Sequence, residues 1–128
     1  GFEGPPREQL YGAVDAISDL QQLECWSDLS CDGDEIRRYL GTVGTKSPVF
    51  KLDKALKRLY TEDPDLEEAV DLEELVGHIQ QADFLAYSTL FAIASGGMDP
   101  KPYMADCQKE VNKLGKKLKV VKSLVQKA

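Results

Sequence analysis

Met104, Cys107, Val111, Leu114, Leu118, Val121 and Val125 follow one another at alternating steps of three and four residues. That period puts them all on one side of an α-helix. Keeping it for about three heptads requires helical partners that run near-parallel along the whole length. No strand satisfies the spacing, so this seam commits the chain to packed helices. The aromatic content of 8% and charged content of 30% agree, because they suit helices better than a β-sandwich.

Other segments repeat the pattern. Leu10, Val14, Ile17 and Leu20 recur at helical steps after Pro5 and Pro6, which can start a helix but not extend one backwards. The first helix should therefore run from about Pro6 into the low twenties, behind a short tail over residues 1–5. After "CDGDE", Asp32 or Asp34 can cap a second helix. Gly41, Gly44 and the Ser47-Pro48 pair interrupt it, which predicts a short helix to about Leu40, a bend, and a second piece from Pro48 to Tyr60. In that piece Ser47 is the cap and Leu52, Ala55, Leu56 and Leu59 point inward. Asp63 and Pro64 then open a long third helix reaching Ala94, with the stripe Leu66, Ala69, Val76, Ile79, Asp83, Ala86 and Leu90. Residues 95–101 form a turn before the Lys-rich last helix.

Four long amphipathic helices on short loops make an all-α fold, an up-down-up-down antiparallel four-helix bundle, with the second helix bent or broken near Gly41 to Pro48. No repeat, linker or low-complexity tract divides residues 1–128, so one domain is expected. There is no apolar run of about 18 residues, the length a membrane-spanning helix needs. A start at Gly1 rather than Met is what a cleaved targeting peptide would leave, and equally what any other cut would leave.

The formal net charge of −6 conceals four alternating blocks. Glu8 to Glu35 holds eight acids and no base, and Arg37 to Arg58 holds seven bases against Asp53. Glu62 to Asp83 holds nine acids and no base, and Lys109 to Lys127 holds seven lysines against Glu110. In an antiparallel bundle each basic helix lies beside acidic ones, so mutual attraction is one use for the blocks. Exposed pairs contribute about 0.2–1 kcal/mol each. A pI near 4.8 argues against nucleic acid as a partner.

Catalytic patterns are missing. The chain has one histidine, His78, too few for a di-iron bundle or a Ser-His-Asp type of triad. Haem attachment by Cys-x-x-Cys-His and zinc pairs of the Cys-x-x-Cys type are absent. The glycine-rich pieces "LGTVGTKS" and "SGGMDP" lack phosphate-loop spacing, and "CDGDE" stops short of a calcium loop. The expectation is a non-enzyme with no cofactor, no metal and no small-molecule substrate.

Three cysteines and one aspartate remain. Cys25 and Cys31 stand six residues apart, close enough for a local bridge if the first helix has ended by Cys25. Such a bridge implies an oxidising compartment. Cys107 sits in the apolar seam and reads as a reduced small hydrophobe, although pairing of Cys25 with Cys107 stays open. Asp83 falls on the inner stripe, where a carboxylate needs a partner. Arg37 or Arg38 should reach it, with Lys113 as competitor, unless the helix rotates and Asp83 meets water.

Some short motifs resemble a known family. "ECWSDLS" followed by "DEIRRYLGTV", which supplies Trp26, Arg37, Arg38, Tyr39 and Leu40, is similar to the PsbQ-like extrinsic subunits of photosystem II, in particular the algal PsbQ-prime type and the diatom-specific extrinsic protein. "ADFLAY", Ala82 to Tyr87, and "KPYMADCQKEVNKLGKKL", Lys101 to Leu118, look like the third and fourth helices of that group. The resemblance implies a four-helix bundle in the chloroplast thylakoid lumen, peripheral to the membrane and bound to intrinsic and other extrinsic photosystem subunits. There it would support oxygen evolution without ligating manganese. The long Pro-rich arm of plant PsbQ has only a remnant here, Gly1 to Pro6.

On that reading Lys51, Lys54 and Arg58, at helical steps, with Lys46 at the bend, form a docking row toward acidic lumenal surfaces, and Lys116, Lys117 and Lys119 form the alternative. The rival function is a helical adaptor or peripheral protein that binds anionic membranes through its Lys-rich C-terminal helix.

Overall fold

A computed structural model describes residues 4–127, so the first three residues of the expected tail lie outside the described residues. The first helix, α1 (Pro6–Gln21), has proline in its first turn and buries Leu10, Ala13, Val14, Ile17 and Leu20. It gives way to a 3-10 turn at Glu24–Ser27, where the buried Trp26 donates its indole N–H to the Leu20 carbonyl at 2.8 Å. This bond satisfies a carbonyl at the end of α1 and pins the chain's exit.

Asp32 accepts the Asp34 amide at 3.0 Å and caps α2 (Gly33–Tyr39). Gly33 lies against the segment around Ala86: a Cβ there would stand 2.4 Å from the Ala86 carbonyl oxygen. Gly41, at φ 73°, then turns the chain where a Cβ would meet the Phe50 backbone at 2.3 Å.

The next helix, α3 (Leu52–Glu62), starts four residues later than Pro48, which corrects the expected boundary. Ser47 caps a turn rather than a helix, accepting from the Val49 amide at 3.1 Å and donating to the Tyr39 carbonyl at 2.6 Å. The cause lies on α1. The Gln9 side-chain amide donates to the carbonyls of Pro48 and Phe50, both at 3.0 Å. A helix from Pro48 would offer those oxygens to the amides of Leu52 and Lys54, which bond instead to Val49 and Lys51. Lys51 consequently takes a left-handed conformation, φ 56°.

The expected third helix is also two. The short α4 (Asp65–Ala69) ends at an extended Val70, and α5 (Leu72–Ser95) begins under a new cap, Asp71, which accepts from Glu73 at 2.9 Å and Glu74 at 3.4 Å. Tyr60 donates its hydroxyl to the Val70 carbonyl at 2.9 Å, occupying an oxygen that a continuous helix would need. The break turns the inner stripe by about one residue. Leu75, Ala82, Leu85, Ala86, Thr89 and Ala92 are buried, whereas Val76, Ile79, Asp83 and Leu90 sit at the edge and Ala69 is exposed. Gly96, at φ 69°, closes α5.

The last helix is α6 (Lys101–Lys127), and the seam from Met104 to Val125 is buried throughout. The fold is therefore all-helical, with six α-helices among the described residues: the expected break near Gly41 to Pro48 separates α2 from α3, and an unexpected one at Val70 separates α4 from α5.

One hydrophobic cluster joins them. Helices α5 and α6 run antiparallel: Cys107 donates its thiol to the Ala82 carbonyl at 3.4 Å, and Lys117 reaches Glu74 at 3.3 Å. Helix α6 is likewise antiparallel to α1, tied by Arg7 to the Val125 carbonyl (2.9 Å) and Gln21 to Asn112 (3.1 Å). Helix α3 packs on α1, and α2 on α5.

Candidate docking surfaces

The basic row starts just before α3. Lys51 occupies the left-handed position ahead of the helix, with its ammonium 5.1 Å from the Phe50 ring, while Lys54 and Arg58 stand one helical turn apart on α3. With Gly4, Pro6, Gln9 and Ala55 they line one shallow, open depression between α1 and α3. All three are exposed, and none enters an ion pair among the described residues. Lys46 does not join them. It lies at a separate depression with Ala16, Asp19, Arg38 and Pro48.

Mutual attraction between helices engages few of the charges. Among the described residues the ion pairs between helices are Arg37–Asp83 at 2.8 Å and Lys117–Glu74 at 3.3 Å, together with His78–Glu110 when the imidazole is protonated. The α3 row is thus left facing solvent: α3 packs its apolar side on α1, and none of the acids of that helix, Glu8, Asp15 and Asp19, pairs with the row among the described residues.

Nor do the alternative lysines form one face. Lys117 is drawn inward to Glu74 and lines a groove with Ala69, Val70, His78 and Lys113. Lys119 flanks Val120, Ser123 and Leu124, and Lys116 borders both.

Arg37, not Arg38, meets Asp83, and Lys113 turns to Glu110 at 3.8 Å. The edge position of Asp83 leaves the pair partly open to water. Asp34 adds a second carboxylate at 3.3 Å, and the guanidinium carbon lies 5.2 Å from the centre of the Tyr87 ring. The Asp83 hydrogen bond raises the arginine's pKa above its usual value, against the opposing effect of burial.

Cys25 and Cys31 are joined by a disulfide across the loop after α1, and Cys107 is free and buried. Burial pushes the Cys107 thiol up to about 12, far from the thiolate a nucleophile needs. No group of three or more His, Cys, Asp or Glu side chains that could hold a metal ion occurs among the described residues, and no helix is long and apolar enough to cross a membrane.

Two features escaped the sequence reading. One is the contact of His78 Nδ1 with Glu110 across α5 and α6, at 3.0 Å. The other is a run of exposed apolar side chains, Phe84, Tyr87, Phe91, Ile93 and Met98. Its signal was present in the absence of any Lys or Arg from Ile79 to Pro100, combined with aromatics at helical steps.

Comparison with family models, with curated proteins and with solved structures returned no match for this chain.

Proposed function

We propose that this chain is a PsbQ-like extrinsic subunit, a non-catalytic protein that binds the lumenal side of photosystem II and supports oxygen evolution. The observation carrying this reading is that the short motifs behind the resemblance, far apart in sequence, meet in space. Arg37 of the Arg-Tyr-Leu element bonds to Asp83 and lies over Tyr87, both within "ADFLAY". Cys107 of "KPYMADC" bonds to Ala82 of the same stretch. Motifs that build one packed corner carry more weight together than as separate short coincidences.

The architecture fits if the six helices are four arms of an up-down-up-down bundle. The arms are then α1, the broken pair α2–α3, the broken pair α4–α5, and α6. The Cys25–Cys31 disulfide supports an oxidising location such as a lumen. Lys51, Lys54 and Arg58, exposed and in no ion pair among the described residues, are the docking row for acidic surfaces of the photosystem. Such contacts chiefly steer association and set its salt dependence.

Reconstitution tests the proposal. Thylakoid membranes washed with salt and given the protein back should rebind it and recover oxygen evolution, whereas no rebinding to any photosystem II preparation would remove the family reading. A second reading has one observation in its favour: Lys116 and Lys119 border the exposed Val120 and half-buried Leu124 on α6, a basic and apolar strip suited to anionic lipid. Salt-sensitive flotation with bare anionic liposomes would favour it.

A further inference from the structure

Helix α5 carries two apolar stripes, and only one is covered. Ala82, Leu85, Ala86 and Thr89 face α6 and α2 and are buried. Phe84, Tyr87 and Phe91, again at steps of three and four, stand 61%, 51% and 62% exposed on the side of the helix opposite that core-facing stripe. Together the three rings leave about 350 Å² of largely apolar surface, the size of the largest patch on an ordinary monomer, which is often a functional one.

The electrostatic surroundings narrow the occupant. The segments Glu24–Glu35 and Ile79–Pro100 contain no lysine or arginine, but they contain Glu24, Asp28, Asp32, Asp34, Glu35, Asp83 and Asp99. They adjoin one another, since Gly33 sits so close to α5 that a Cβ on it would stand 2.9 Å from the Leu90 side chain. Of the flanking cations, Arg37 is held by Asp83 and Asp34, whereas Lys101 is exposed and enters no ion pair among the described residues. The aromatic stripe therefore lies beside segments that carry seven acids, against Arg37 and Lys101 at their margins.

We infer that this stripe is the seat for a basic amphipathic helix of another protein, whose apolar face covers Phe84, Tyr87 and Phe91 while its lysines or arginines meet the acidic rim. A second copy of the chain fits poorly. Symmetric pairing would set the acidic rim against itself, and a stable homodimer takes about 800 Å² from each partner. A helix of a few turns needs less area and supplies the missing charge. The inference is independent of the photosystem reading and uses a different face from the α3 row.

The test uses the full chain and a labelled probe peptide of about 18 residues, five helical turns, built of Leu and Lys in an amphipathic pattern. Fluorescence anisotropy should show binding that high salt weakens. The Phe84→Ser/Phe91→Ser protein, with unchanged circular dichroism, should bind at least about tenfold more weakly, as should a Leu/Glu peptide of the same pattern offered to the parent. If the double change lowers helix content, either single change serves, because each side chain is exposed. Failure of the parent to bind the Leu/Lys peptide, equal binding of both peptides, or unchanged affinity in the variant overturns the inference. So does a sedimentation mass of two copies that falls to one in the variant, which makes the occupant a second copy. Flotation with phosphatidylcholine vesicles that is lost in the variant makes it a lipid surface, with the same consequence.

Discussion

Arg37 Nε donates to Asp83 Oδ1 at 2.8 Å and joins the short α2 to the middle of α5. Side-chain exposures of 23% and 28% leave the pair neither fully dry nor freely solvated. Removing the carboxylate strands a half-buried guanidinium with only Asp34 and the Tyr87 ring for company. Asp83→Ala should lose about 1–3 kcal/mol in chemical denaturation. The double change with Arg37→Met should recover part of that loss, because the stranded charge is gone. A single mutant as stable as the parent would contradict the pair's role.

Gly33 is the contact that lets α2 lie on α5. A methyl group there must push against the Ala86 carbonyl and the Leu90 and Thr89 side chains. Gly33→Ala should cost about 1–3 kcal/mol through overpacking, although alanine is the better helix former. Thermal melting of the two proteins checks the sign, and a gain in stability would mean that α2 stands further off.

The Cys25–Cys31 bridge closes a loop with a sequence separation of 6. For so small a loop, replacing both by Ser should cost about 2 kcal/mol while leaving the helices formed. Intact mass after alkylation without reductant should show no modified cysteine in the native protein and only Cys107 modified after unfolding.

Strong alkali should unfold the protein. Burial raises Tyr60 from its usual 10.0 to about 12, and Cys107 from 9.0 to about 12, so the folded state favours their neutral forms. Their contributions are fully present below pH 9 to 10, the unfolded values, and are lost as pH climbs through that range toward 12. Stability measured across this window should fall steeply, and spectrophotometric titration should show Tyr60 ionising late, near pH 12. Tyr60→Phe should titrate without that late step and weaken the break at Val70, whose carbonyl loses its donor.

Reversing the charges of Lys51, Lys54 and Arg58 should weaken rebinding to salt-washed membranes far more at low salt than at high salt, with helical content unchanged. If that variant rebinds like the parent and reversal of Lys116, Lys117 and Lys119 abolishes binding, the docking surface is on α6.

Local chemistry determined the parts that answer to a neighbour-independent rule. The seam from Met104 to Val125 could bury itself only as one side of a helix, and Pro6, Asp32 and Gly41 act on the backbone within a few residues of themselves. Asp71 with Glu74 carried a readable helix-start signal that the longer apolar stripe masked. Other features depended on groups distant in sequence. The late start of α3 follows from the Gln9 amide taking two carbonyls some forty residues away in sequence, at separations of 39 and 41. The break before α5 follows from Tyr60 holding Val70, and the helix restarts rotated by about one residue from the expected stripe. That rotation sets Asp83 at the edge beside Arg37 and leaves Phe84, Tyr87 and Phe91 uncovered. A period shows that a helix has apolar sides, but only the neighbours that pack against it decide which side is buried. On α5, where apolar residues occur nearly all round, tertiary contact made that choice.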